Sequence, residues 1–336
     1  MAVDHSFHID RYLSWTVDWA RTPDGHHYSN KAPGPSFLAL PFEALDHRDE
    51  APPTPWLRNL ISILLQAVPF SLLTLLIAAE LQKRGRSLEA QNFAAVAILL
   101  GNTAAVFMGV FFGHALSACL LLSAILCWIQ ERWFGTGMAL GWLILSDYGA
   151  AVLLVPAGIS MAMGARGIGK ALLGATLPAA LWIVYHTICF GSPWTLPMAF
   201  QNPAVAIEGT FSIAPPADVA GELLWGRKRG LLFTQPWLPL LWLICVARAY
   251  RNEDEVPRPL LGFSLLGLPL LFWVNAGFSG WHGGESAGPR YMSVVFPLYG
   301  WLAGHYYDRI NKGWRILLLG GLGIAVLLRW LIQTRD

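Results

Sequence analysis

From about Leu57 onward the chain alternates long apolar runs with short polar joints. Runs near 58–80, 91–109, 112–130, 170–190, 231–249, 259–277, 291–307 and 315–333 each predict an apolar helix. At about 1.5 Å per residue, a helix needs about 20 such residues to cross a hydrocarbon core of about 30 Å. The stretch from Gly135 to Met163 is too long for one ordinary span, and Asp147-Tyr148 interrupts its middle. Each half reaches only about 18–22 Å as a helix. The preferred reading is a hairpin of two short helices with Asp147 at the apex. One long broken helix is the alternative, and it would reverse everything downstream. The pattern therefore predicts an all-α, polytopic transmembrane bundle of about ten spans. Residues 1–56 form a polar first loop, and 57–336 the helical domain.

Composition agrees with that reading. Of 336 residues, 55% are hydrophobic and 13% charged, where soluble proteins carry about 25% charged residues. Sixteen tryptophans suit the headgroup level, which indole rings favour. A net charge of +2 is too small to suggest nucleic acid as a partner. Cys119, Cys127, Cys189 and Cys245 all fall inside apolar runs without a C-x-x-C partner, so buried free thiols are expected. No basic stretch leads into an apolar one at the start, so no signal peptide is expected.

Charge position sets an orientation. With the hairpin, the short joints at 83–86, Arg132, 166–170, 248–258 and 309–315 share one face, and they hold the Lys and Arg of the short loops. That face is cytoplasmic by the positive-inside rule. The first loop and the loops at 191–230 and 278–290 then face outward together. Gly137 and Gly141 form a small-xxx-small pair that lets helices approach closely.

Candidate chemistry concentrates in those outward loops. Gly25-His26-His27-Tyr28-Ser29-Asn30-Lys31-Ala32-Pro33-Gly34-Pro35 places a single ammonium in a Pro/Gly turn beside the bilayer. Lys31 there suits a phosphate oxygen, and a snorkelling interface lysine is the other reading. Asp10, Asp18 and Asp24 lie just upstream; each is a general-base or sugar-hydroxyl candidate, or simply solvated.

A second cluster runs from Phe278 to Tyr291 and includes Trp281, His282, Glu285 and Arg290 among four glycines and a proline. An arginine fork beside glycine N–H donors suits phosphate, and an indole suits a sugar face; the alternative is a tight turn with an anchoring arginine. Further signals are His114 in Phe111-Phe112-Gly113-His114, the basic triplet Arg227-Lys228-Arg229, and Asp147. A carboxylate at membrane depth is costly without a role. No H-E-x-x-H, Walker A or G-x-S-x-G sequence is present, which argues against a metalloprotease, an ATP-driven pump and a nucleophile-elbow hydrolase. No metal-ligand spacing is evident, so neither a metal nor a cofactor is expected.

Tyr28-Ser29-Asn30-Lys31-Ala32-Pro33-Gly34 resembles the Tyr-x-x-Lys-(Pro/Ala)-Pro motif in the first outer loop of GT-C membrane glycosyltransferases. These include the protein-mannosyltransferase-like and aminoarabinose-transferase-like enzymes (family 39-type). Phe111-Phe112-Gly113-His114-Ala115-Leu116, Gly230-Leu231-Leu232-Phe233, and Trp281-His282-Gly283-Gly284 through Gly288-Pro289-Arg290-Tyr291 are similar to segments of bacterial members. The resemblance implies transfer of a sugar from a polyprenyl phosphate to a glycan, lipid or protein acceptor outside the cytoplasmic membrane. It implies that Lys31 approaches the lipid phosphate, that Arg290 and Arg229 share that task, and that Asp147 is a site residue. Family members begin with a further helix and an acidic residue ahead of the Lys motif. That acid would fall at or before Met1 here, so Asp18 or Asp10 is expected to substitute. A transporter or flippase, and a non-catalytic binding protein for a lipid-linked glycan, are the competing readings. Transporters tend to place charge and broken helices at the midplane in related halves. Here the polar clusters sit at one surface.

Overall fold

The computed structural model describes residues 6–43, 54–162, 167–204, 211–251, 256–284 and 288–333. Its first loop is folded. A 3-10 turn, Asp10–Trp15, leads into an antiparallel pair of short strands, β1 (Trp19–Arg21) and β2 (His27–Ser29), with Ala20 opposite Tyr28. Gly25, at φ +90°, makes the turn between them. Helix α1 (Gly34–Glu43) follows. Among the described residues the other regular elements are helices, besides the isolated bridges Ala20–Gln201 and Phe211–Phe278, so the all-α expectation holds apart from this small hairpin.

The first long helix joins α2 (Pro55–Ser62) to α3 (Val68–Lys83) through a π turn at Ile63–Ala67. Pro69 lacks an N–H to continue the α pattern, and the Val68 N–H reaches back to Ile63 instead. Next comes α4 (Leu88–Leu99), then a 3-10 segment Thr103–Gly109 bent 61° from it. The apolar run 91–109 is thus a broken element. Asn102 occupies the break. Its Nδ2 donates to the carbonyls of Ala97 and Ile98 at 2.8 and 2.7 Å, and its Oδ1 accepts from the Ala105 N–H. One buried amide therefore satisfies both helix ends, which a break inside apolar surroundings requires.

Helices α5 (Gly113–Ile129) and α6 (Trp133–Ser146) lead to Asp147, a 3-10 segment Tyr148–Leu153, and α7 (Leu154–Ala162). Helix α8 (Ile168–Phe190) lies along α6. A Cβ on Gly137 would strike Ala171, one on Gly174 would reach Met138 as well as Phe134, and one on Gly141 would strike Pro178; the pairs 137–171, 138–174 and 141–178 advance in step. Contacts that rise together in number mean that α6 and α8 run parallel, so the chain between them returns to its starting side. Gly167, packed on the Trp133 ring, marks the end of that return. The chain therefore reverses at Asp147, as the hairpin reading expects, but α7 packs on a later helix, α12, while α6 packs on α5 and α8.

Helix α9 (Ala217–Trp225) precedes α10 (Leu231–Thr234) and α11 (Trp237–Tyr250), which Gln235-Pro236 separates within the run 231–249. Helix α12 (Arg258–Gly277), the 3-10 segment Arg290–Val295, α13 (Phe296–Tyr306) and α14 (Lys312–Gln333) complete the bundle. Every residue of α13 is buried. Gly300 and Gly304 lie against Ile98, Ala94 and Leu81, and Trp301 donates to Glu80 at 3.0 Å. Burying its large side chains is worth about 1.5–3 kcal/mol each, which makes α13 the centre of the core.

The periphery is apolar as well. In the apolar window of α8 only 28% of residues are buried, and Leu172, Leu173, Leu177 and Ile183 are exposed. A helix that is apolar on its outer face suits a hydrocarbon surrounding. Among the described residues, three helices, Pro55–Lys83, Ile168–Phe190 and Arg258–Gly277, are long and apolar enough to cross a membrane, and the bent pair counts as a fourth where its two parts are taken as one span.

Candidate functional site

One end of the bundle gathers the loops that carry the candidate chemistry. Residues of α1, the start of α5 and the end of α6 meet there. A Cβ on Gly34 would fall on Leu145 and Ser146, and one on Gly113 would touch the Ser146 carbonyl and Pro35. These glycine contacts put the Lys31 turn, His114 and Asp147 together. The 278–291 loop arrives from the other side. His114 packs edge-on to Tyr291, with ring centroids 5.9 Å apart, and also contacts Phe107 and Phe112.

Asp147 has extended backbone at φ −152° and caps the following 3-10 segment, its Oδ1 accepting from the Gly149 N–H at 2.9 Å. Its Oδ2 stands 4.0 Å from His114 Nδ1, and both side chains are largely shielded from solvent. Behind it, Tyr148 Oη and His186 Nε2 are 3.1 Å apart, while His186 Nδ1 meets the Trp182 carbonyl at 3.0 Å. Sequence reasoning misses His186 and Phe107. A lone histidine or phenylalanine in an apolar run carries no signal of what it faces.

Two cations from separate loops lie within electrostatic reach of His114, namely Arg290 and Lys31. Lys31 Nζ is exposed and pairs with Asp18 Oδ1 at 2.9 Å. Arg290 lies over the Tyr291 ring and donates from Nη2 to Tyr291 Oη at 3.1 Å. Among the described residues, its buried Nε has no hydrogen-bond partner. A buried guanidinium N–H without an acceptor is costly, and an anionic oxygen is the acceptor that suits it.

Other expected site residues are engaged differently. Arg229 Nε donates to the His282 carbonyl at 2.6 Å and Nη2 to the Gly284 carbonyl at 2.5 Å, while its guanidinium lies over the Trp281 ring. His282 Nδ1 accepts from the Gly284 N–H. Arg229, Trp281 and His282 therefore clamp a turn in which Gly283, Gly284 and Gly288 all have positive φ. The Gly288 N–H donates to the Lys228 carbonyl, tying the same two loops once more. Glu285 lies outside the described residues.

In the first loop, Tyr28 is buried against Phe190 and donates toward Asp24. Burial foremost, with the charge of Asp24, raises its phenol to about 12. That makes Tyr28 an anchor of the hairpin and not a group presented to substrate. Asp10 accepts from the His27 N–H at 2.8 Å and faces the Nδ1 atoms of His26 and His27 at 2.8 and 2.7 Å. Partial burial opposes its ionisation, but these hydrogen bonds outweigh that and hold its carboxyl down at about 2. Asp10 thus belongs to a histidine cluster of its own. Asp147 is the carboxylate that the fold sets beside His114, with Lys31 and Arg290 in electrostatic reach of that histidine.

Comparison of the chain with protein-family models, with curated proteins and with solved structures returns no match.

Proposed function

We propose that this chain is a membrane glycosyltransferase that moves a sugar from a polyprenyl-phosphate donor to an acceptor on the outer face of a cell membrane. The observation that carries the reading is the His114–Asp147 pair at 4.0 Å, with Lys31 and Arg290 in electrostatic reach of His114 and the buried Arg290 Nε without an acceptor among the described residues. In such a transfer the bond between the sugar C1 and the phosphate oxygen breaks, and its electron pair stays on the phosphate. Cations at that oxygen stabilise the charge as it develops. Lys31 and Arg290 take this role, with Lys31 leaving Asp18 for the donor. The acceptor hydroxyl forms the new bond to C1, and its proton passes to Asp147 Oδ2, the oxygen not used in capping. Arg229, Trp281 and His282 shape the loop from which Arg290 reaches the site.

The membrane setting of the proposal is a multi-pass chain of about ten crossings in a bacterial inner membrane, with the site facing outward. The shorter apolar helices Gly113–Ile129, Trp133–Ser146, Tyr148–Ala162 and Trp237–Tyr250 serve as thin or tilted crossings in it. The test is transfer of labelled sugar from a panel of synthetic polyprenyl-phosphate sugars in membranes that hold this chain or its Lys31→Ala form. Transfer abolished by Lys31→Ala supports the enzyme. Lipid binding without transfer from any donor would assign the chain to carriage or binding of lipid-linked glycans instead.

A further inference from the structure

The first loop holds a second cluster, made by a close pair, His8 and Asp10, and the more distant His26. His8, Asp10 and His26 each offer one ligand atom, and these atoms all lie within 4.8 Å of one another. The backbone builds the cluster. The Ile9 N–H donates to the His27 carbonyl at 2.8 Å, which fixes the 8–10 segment alongside β2. Asp24 closes the adjoining turn by accepting from the His26 N–H at 3.0 Å. Asp10 Oδ2 then serves two imidazoles at once, with His26 Nδ1 at 2.8 Å and His8 Nδ1 at 3.9 Å. Its other oxygen is occupied by the backbone N–H and Nδ1 of His27 at 2.8 and 2.7 Å.

We infer that this cluster is a divalent transition-metal site of Zn²⁺ type, with His8, Asp10 and His26 as ligands and His27 as the outer residue that orients the carboxylate. Two imidazoles and one carboxylate form a donor set that zinc takes up, at bond lengths of about 2.0–2.2 Å. A ligating carboxylate normally has its free oxygen hydrogen-bonded, as Asp10 Oδ1 is. Calcium and magnesium prefer all-oxygen sites, so nitrogen donors select against them. Ligand atoms bonded at that length in a tetrahedron are about 3.4 Å apart, so the 2.8 Å pair of Asp10 Oδ2 and His26 Nδ1 must open slightly while the wider pairs, which reach no further than 4.8 Å, close. The His8 and His26 rings stack at 3.8 Å between centroids, and they must turn out of the stack to aim their nitrogens at one point. Both lie at the surface, where ring torsions are broad and soft. The ion would take the place now spanned by the Oδ2–His26 hydrogen bond and would staple residues 8–10 to the β1–β2 hairpin, holding the loop that carries Lys31.

The experiment is zinc titration of the full chain, purified in detergent without a histidine tag and stripped with chelator, with Co²⁺ absorption as the reporter of coordination geometry. One Zn²⁺ per chain is expected, with a tetrahedral Co²⁺ spectrum. His8→Ala, His26→Ala and Asp10→Asn should abolish that equivalent. His27→Ala should weaken it by about 10–100-fold, and His282→Ala should leave it unchanged. Circular dichroism of each variant keeps loss of folding distinct from loss of a ligand. A wild-type chain that binds no stoichiometric Zn²⁺ or Co²⁺ overturns the inference. So does a folded His8→Ala/His26→Ala double variant that binds as the wild type does.

Discussion

Lys31 Nζ lies 2.9 Å from Asp18 Oδ1, with both side chains about half exposed. The two groups that the sequence offers for different tasks, phosphate contact and proton transfer, are thus each other's partner. An exposed pair of this kind stabilises a fold by less than about 1 kcal/mol, so it separates readily when a stronger anion arrives. Lys31→Ala is expected to lower sugar transfer by about 10²–10³-fold, the usual cost of one charge-stabilising donor. Asp18→Asn should leave transfer within about tenfold of wild type, because the proposed base is Asp147. A larger loss in Asp18→Asn than in Asp147→Asn would assign the proton transfer to Asp18.

Asp147 joins a cap and a candidate base in one side chain, and two substitutions separate them. Asp147→Asn keeps an oxygen for the Gly149 N–H, so the fold should hold while transfer falls by about 10²–10⁴-fold. Asp147→Ala removes the cap too, at about 1 kcal/mol, and should also lower the thermal midpoint. Wild-type transfer rates in Asp147→Asn would leave the residue with capping alone.

Arg229 and Arg290 sit on neighbouring loops but differ in what they hold. Arg229→Ala releases two carbonyls and should destabilise the 278–284 turn by about 1–3 kcal/mol, read as faster proteolysis of that loop and a lower thermal midpoint. Arg290→Lys should leave the midpoint unchanged and lower transfer sharply, since an ammonium lacks the planar fork. Swapped outcomes would exchange the two roles.

The α6–α8 contact depends on bare backbone at Gly137, where a side chain would meet Ala171. Gly137→Leu should force the helices apart and cost about 1–3 kcal/mol. Thermal unfolding in detergent checks this, and an unchanged midpoint would contradict the packing.

Tyr28 links the first loop to alkaline pH. Its phenol is raised from 10.0 to about 12 in the fold, so the folded chain holds the proton more tightly than the unfolded one. The contribution is therefore complete below about pH 10 and is lost as pH rises toward 12. Tryptophan fluorescence should report loosening of the loop in that window. The Tyr28→Phe chain should lack the transition, and a transition that persists there would have another source.

Much of the architecture follows from the sequence alone, because lipid imposes a simple rule. Backbone groups that cannot meet water must pair within a helix, so long apolar runs such as those in Pro55–Lys83 and Ile168–Phe190 announce themselves. The reversal at Asp147 was legible for the same reason, since a carboxylate splits a run too long for one crossing. The grouping of candidate residues at one end followed from which joints hold Lys and Arg. Only the tertiary structure decided the rest. Periodicity does not reveal that Asn102 bends a run by satisfying two helix ends, or that Arg229 clamps a turn while Arg290 keeps an N–H without an acceptor among the described residues. Nor does spacing bring His8 and Asp10 to His26, because that meeting depends on a strand register and a turn glycine. Hydrophobic pattern is set by the solvent each residue faces and is written locally. Contacts between side chains far apart in the chain depend on how the helices pack.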